Sequence, residues 1–155
     1  MSSVENYIPY QPNAQGLTEA LIDLKSTMPS QTVFKVTGYE TTCFENVTQG
    51  DALYSRASDG QVGKASASNG LQENAQVVGF ANADASASAT VKVIVIGLKT
   101  MSGLDAGDLY FLSPSTAGAI TLTPPSSAGQ AVVRVGEAST TTKFAIRIEP
   151  PIKLS

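Results

Sequence analysis

The pattern of apolar and polar positions changes character after Gln31. Ahead of that point, Leu17, Leu21, Leu24 and Met28 recur at the spacing of one face of a helix. Asn13 or Thr18 is placed to cap this helix and Pro29 to end it. So short a helix is marginal in isolation, so its apolar face needs a surface to lie on. In Tyr7-Ile8-Pro9-Tyr10-Gln11-Pro12 the two prolines exclude both a helix and a central strand, which predicts an extended segment. Residues 1–31 therefore read as an N-terminal arm with a short amphipathic helix, and 32–155 as a single β domain.

From Thr32 onward the apolar positions come in short runs. Thr32–Thr37, Asp51–Ser55, Gln76–Phe80, Val91–Ile96, Leu109–Leu112, Ala131–Val135 and Lys143–Ile148 are divided by Gly, Ser, Asp and Pro, at the spacing of a β-sandwich or barrel. The alternating segment Ala83–Ala89 reads as a turn with ragged strand ends. In Lys143–Glu149 the alternation is clean, with Phe144, Ile146 and Ile148 inward and Arg147 and Glu149 outward. Val91–Ile96 is different: its expected outward set is Lys92, Ile94 and Ile96, so both faces are largely apolar. Such a strand is either central in a sandwich or covered by another subunit. The low charge elsewhere favours a subunit contact through Ile94 and Ile96, joined by the helix face Leu17, Leu21 and Leu24.

These runs also repeat. Gly50-Asp51-Ala52-Leu53-Tyr54 returns as Gly107-Asp108-Leu109-Tyr110-Phe111, and Gly79 returns as Gly136; 107 − 50 and 136 − 79 are both 57. Gly60-Gln61-Val62 returns as Gly118-Ala119-Ile120, and Val91–Ile96 as Lys143–Ile148 after a gap of a few residues. The predicted fold is all-β, a β-sandwich or barrel built from two similar units at about 46–98 and 103–152. One unit built twice points to a structural protein rather than an enzyme.

Composition narrows the function. Charged residues make up only 15 % of the 155, and the net charge is −3 with no cluster of Lys or Arg, which argues against nucleic acid. The absence of His removes the commonest general base and zinc ligand. The single cysteine, Cys43, has no intramolecular partner and reads as a small buried residue. The start of the chain carries no basic and apolar leader pattern, and the run Val91–Leu98 is too short to span a bilayer, so no membrane partner is expected and synthesis in a cytoplasm is.

The motifs dissolve on inspection. Gly60-Gln61-Val62-Gly63-Lys64-Ala65 lacks the leading glycine and the hydroxyl residue after lysine that a phosphate loop needs, and reads as a β-turn. Asn46-Val47-Thr48 is a glycosylation sequon without a secretion signal. Asp105 and Asp108 are too few for a calcium loop, and Gly107-Asp108, like Gly50-Asp51, reads as a tight turn into a strand. Glu40, Glu45, Glu73, Glu137 and Glu149 are candidates for a carboxylate pair, but nothing brings two together. Ser139-Thr140-Thr141-Thr142 reads as an exposed turn. No catalytic residue, cofactor or metal ligand is expected.

The second copy is the specific one. Leu104–Leu112, Gly118–Pro125, Val133–Ala138 and Ile148–Ile152 together resemble a β module of tailed-bacteriophage virion proteins, found in capsid decoration (cement) proteins and near tail-fibre ends. The first copy is similar to it more loosely, so the resemblance spans roughly residues 45–152. It implies a β-rich, non-enzymatic, often trimeric domain on the virion surface, and it carries no catalytic residues. A short chain opening with Met1 and an arm, rather than a long shaft, leads us to expect the capsid. The expected protein decorates the outer capsid surface and stabilises the shell. Its partners are the major capsid protein and its own copies in a homotrimer. Tyr7, Ile8, Pro9 and Tyr10 of the arm are the expected capsid anchors, since aromatic residues supply most contact energy. A short tail fibre or receptor-binding module is the alternative.

Overall fold

The repeat folds twice in the same way. In the computed structural model, which describes residues 37–155, the chain is nearly all β. β1 (Thr37–Thr42) leads into the first copy, formed by β2 (Ala52–Ser55), β3 (Val62–Lys64), β4 (Val77–Ala81) and β5 (Thr90–Thr100), with one 3-10 turn at Glu73–Ala75. The second copy holds β6 (Leu109–Leu112), β7 (Ile120–Thr121), β8 (Ala131–Val132), β9 (Arg134–Thr140) and β10 (Lys143–Ile146), and β11 (Ile152–Lys153) follows. The main sheet runs β3-β2-β4-β5-β10-β9-β6-β7, with β1 added beside β5, while β8 and β11 form a separate pair. Read from either end, the order is hairpin, third strand, fourth strand. The two copies therefore meet where β5 pairs with β10, and the antiparallel sheet curls into a half-barrel.

Register matches residue for residue. Ala52↔Phe80, Leu53↔Gly79 and Tyr54↔Val77 recur 57 positions later as Leu109↔Glu137, Tyr110↔Gly136 and Phe111↔Arg134. Both ladders slip at the same step, between Leu53 and Tyr54 and between Tyr110 and Phe111, so even a β-bulge is duplicated. The hairpins differ by one inserted residue: Ser55 faces Val62 and Leu112 faces Ile120, and 120 − 62 is 58. In the last strand Ala81↔Val93 corresponds to Ala138↔Phe144, and 144 − 93 is 51. Matching Val91–Ile96 to Lys143–Ile148 is therefore one residue out of register.

Turn chemistry is also local and repeated. Gly50 and Gly107 take φ of +94° and +89°, and the following aspartate N–H closes each turn onto Thr48 and Asp105. The strands then bury their faces in two clusters. On one side of the first copy, Leu53, Val62, Ala81, Val91 and Val93 pack against Cys43 and Val47. On its other side, Ala52, Val77, Phe80 and Ile94 pack against Tyr110, Leu112, Val135, Phe144 and Ile146 of the second copy. Phe144 lies at the centre of this seam, edge-on to Phe80 at 5.5 Å and to Tyr110 at 5.8 Å between ring centroids.

Ile94 requires a correction. It is 1 % exposed and buried by the second copy of the same chain, so it cannot form a subunit contact. The strand is apolar on both faces because it is central within the chain. Ile96 is different, at 56 % exposed. A register shift in the β1–β5 ladder, where Thr37 faces Ile96 but Gly38 faces Ile94, breaks the alternation and leaves both Val95 and Ile96 outside. Phe144, Ile146 and Ile148 do turn inward, with Arg147 and Glu149 exposed. The arm residues Tyr7, Ile8, Pro9 and Tyr10, and the helix face Leu17, Leu21 and Leu24, lie outside the described residues.

Candidate functional site

Four of the five glutamates singled out in the sequence are hydrogen-bonded or ion-paired within the scaffold. Glu45 accepts the backbone N–H of Lys64 at 3.2 Å, and Glu73 that of Ala57 at 2.9 Å. Glu137 pairs with Arg147 at 3.9 Å and Glu149 with Arg134 at 3.3 Å, while Glu40 sits across the ladder from Lys92. Asp51 accepts the Thr48 N–H at 2.8 Å within its own turn. Among the described residues no group of three or more His, Cys, Asp or Glu side chains is placed to hold a metal, and no helix is long and apolar enough to cross a membrane.

The phosphate-loop lookalike is a hairpin. Arg56 N–H donates to Gln61 and Gly60 N–H to Arg56, closing the β2–β3 turn, and the Phe44 ring lies where a side chain at Gly63 would have to go. The Arg56 guanidinium stacks 4.1 Å over Phe44 and grips Asp59 through two hydrogen bonds of 3.1 and 2.6 Å. That grip holds the Asp59 carboxyl below its usual range. Burial, and then Glu73 and Glu45, push the neighbouring Tyr54 phenol upward. Cys43 is fully buried, its thiol donating to the carbonyls of Ser86 at 3.0 Å and Ala89 at 3.3 Å. The Ser139–Thr142 run turns β9 into β10, with Thr140 Oγ1 accepting the Thr142 N–H at 3.2 Å.

Two features remain with atoms to spare. The first is an apolar patch of Val95 and Ile96, with Tyr39 on the adjoining strand 43 % exposed. The copies also differ in how one face of the unit is used. The first-copy residues Val77, Phe80 and Ile94, buried in the seam, correspond to Arg134, Glu137 and Ala145 in the second copy. There the same face meets solvent and is closed by the Arg134–Glu149 and Arg147–Glu137 pairs. Beyond Ile94 the register shift at Val95 ends this correspondence, and Val95 and Ile96 lie outside it, both exposed.

The second feature escaped the sequence reading. Lys99, at the end of β5, is only 5 % exposed and lines a 310 Å³ cavity with Gln49, Asn82, Ile94, Leu98 and Thr100. A lysine closing an apolar strand ordinarily reads as a solvated end, and no local signal distinguishes this one. The chain matches no protein-family model, and no curated protein is significantly similar to it in sequence.

Proposed function

We propose that this protein is a non-enzymatic structural component of a bacteriophage virion: a decoration protein that binds the outer capsid surface and stabilises the shell. The exposed Val95–Ile96 patch, on a strand at the middle of the sheet, is the observation that carries this reading. Adjacent apolar side chains left exposed on a sheet are suited to burial against another molecule. In this reading the patch joins protomers of a trimer, and the N-terminal arm anchors each protomer to the major capsid protein through Tyr7, Ile8, Pro9 and Tyr10. The resemblance of the second copy to phage virion modules supports the setting, and the engagement of Glu45, Glu73, Glu137 and Glu149 in the scaffold supports a structural role.

Copy number per virion tests the location, since a decoration protein is present in hundreds and a tail-fibre or receptor-binding component in a few. Deletion of residues 1–12 tests the anchor. The truncated protein is expected to keep its fold and oligomeric state but to lose capsid binding, and undiminished decoration would overturn the arm's role.

A further inference from the structure

Among the described residues, the seam between the two copies holds a charge without a counter-charge. Lys99 lies opposite Phe144 in the β5–β10 ladder, so its side chain leaves the sheet on the face that carries the core. The residue is 5 % exposed and lines the cavity at the rim of the seam, a place where a long lysine stem is buried among apolar neighbours. Ion pairs among the described residues are Arg56–Asp59, Arg134–Glu149 and Arg147–Glu137; none includes Lys99, and no described side chain accepts a hydrogen bond from it. Lys143, by contrast, donates to Thr100 Oγ1 at 2.8 Å. Burial accordingly draws the Lys99 amine below the ordinary lysine pKa, with no neighbouring carboxylate to raise it.

The rest of the cavity is furnished for hydrogen bonding. Gln49 and Asn82 line it from the first copy, and Thr100 lines it beside the lysine. The Gln49 amide is held in place, its Nε2 donating to the Asn82 carbonyl at 3.0 Å and its backbone N–H to Asp84 at 2.8 Å. The cavity thus combines a buried lysine with polar neighbours, beside Ile94 and Leu98 of the same strand. No acid lines the cavity: Asp84 accepts the Gln49 backbone N–H, and Asp51, which lines the adjoining pocket, accepts the Thr48 N–H.

We propose that this cavity is a binding site for a small carboxylate, whose oxygens pair with the Lys99 ammonium while its remaining polar groups meet Gln49, Asn82 and Thr100. A carboxylate suits the position because a recessed ammonium gains most from a compact anion that accepts several hydrogen bonds.

The test uses the full chain labelled with ¹³C-lysine, titrated with acetate and followed at the Lys99 ε-carbon by NMR. Acetate is expected to give a saturable shift, and neutral acetamide to bind about tenfold more weakly or less, as loss of a charged hydrogen-bond partner implies. Lys99→Met keeps the apolar stem and should abolish acetate-induced shifts in the backbone amides of Gln49 and Asn82. Asn82→Asp supplies an internal carboxylate and should suppress acetate binding with Lys99 still present, which decides the matter if Lys99→Met fails to fold. A linear response, equal shifts with acetamide, or acetate shifts that persist in Lys99→Met would overturn the site. Inorganic phosphate binding more tightly than acetate would overturn the carboxylate assignment.

Discussion

Gly79 and Gly136 show most directly how single residues hold the repeat together. A Cβ at Gly79 would sit 2.5 Å from Val93 Cγ1 and 2.6 Å from the Ile94 carbonyl, and at Gly136 it would run into the Ala145 carbonyl and the Phe144 ring. Each glycine is the place where the third strand of a copy passes close to its fourth. Gly79→Ala and Gly136→Ala are each expected to cost about 1–3 kcal/mol in chemical denaturation, because backbone and core atoms must move. Gly107→Ala meets nothing within 4 Å and is strained only by its φ of +89°, so its cost should be smaller, about 1 kcal/mol. Lys99 gives a residue-scale test that depends on pH. Its folded pKa lies below its unfolded value, so between the two the unfolded chain binds more protons and stability rises with pH. Below the folded pKa the penalty of the buried charge is fully present. Lys99→Met should therefore gain most on wild type near neutral pH, and the gain should shrink as pH climbs towards 10.5, read from urea midpoints across that range.

At the scale of elements, β5 does two things at once. Its first half lies in the first copy, with Val91 and Val93 facing one cluster and Ile94 the other, and its second half pairs with β10 to join the copies. The seam it creates rests on Phe80 and Phe144. Either residue replaced by Ala should cost about 3–5 kcal/mol, since both are fully buried and large. Their edge-on contact should appear as a coupling of about 0.5–1.5 kcal/mol in a double-mutant cycle, and additive losses would show that the rings contribute only their separate burial. Much of this element order was legible in advance. Strands at 52–55, 109–112, 77–80 and 91–96 follow from local alternation and from the glycine turns, both of which act over a few residues. β1 was not legible, because Gly38-Tyr39-Glu40-Thr41-Thr42 has no apolar alternation and is a strand only through its ladder with β5. A residue-by-residue comparison of the copies carried one further signal: Val77 and Phe80 are matched by Arg134 and Glu137. That contrast marks which face of the unit is buried once and exposed once.

For the whole molecule, the same sequence feature divides into a folding determinant and a surface. Ile94→Ala should destabilise the protein by about 2–5 kcal/mol, as for other buried isoleucines. If the proposed trimer forms through this patch, Ile96→Asp should leave the denaturation midpoint nearly unchanged and instead yield monomers, measured by light scattering. A wild-type protein that is monomeric on its own and on the shell, or an Ile96→Asp variant that still associates, would remove Val95–Ile96 as the subunit contact. By itself the sequence determined the all-β class, the duplication, the turn positions and the inward face of β10, because period and turn chemistry are properties of neighbouring residues. Only the tertiary structure decided that the first copy is covered on both faces by its own chain, that the bulge in β5 turns Ile96 outward while Ile94 turns in, and that Lys99 is recessed with no ion-pair partner among the described residues. Those outcomes depend on where β10 and the second copy arrive, and contacts between segments so far apart along the chain leave no mark on the local pattern of either one.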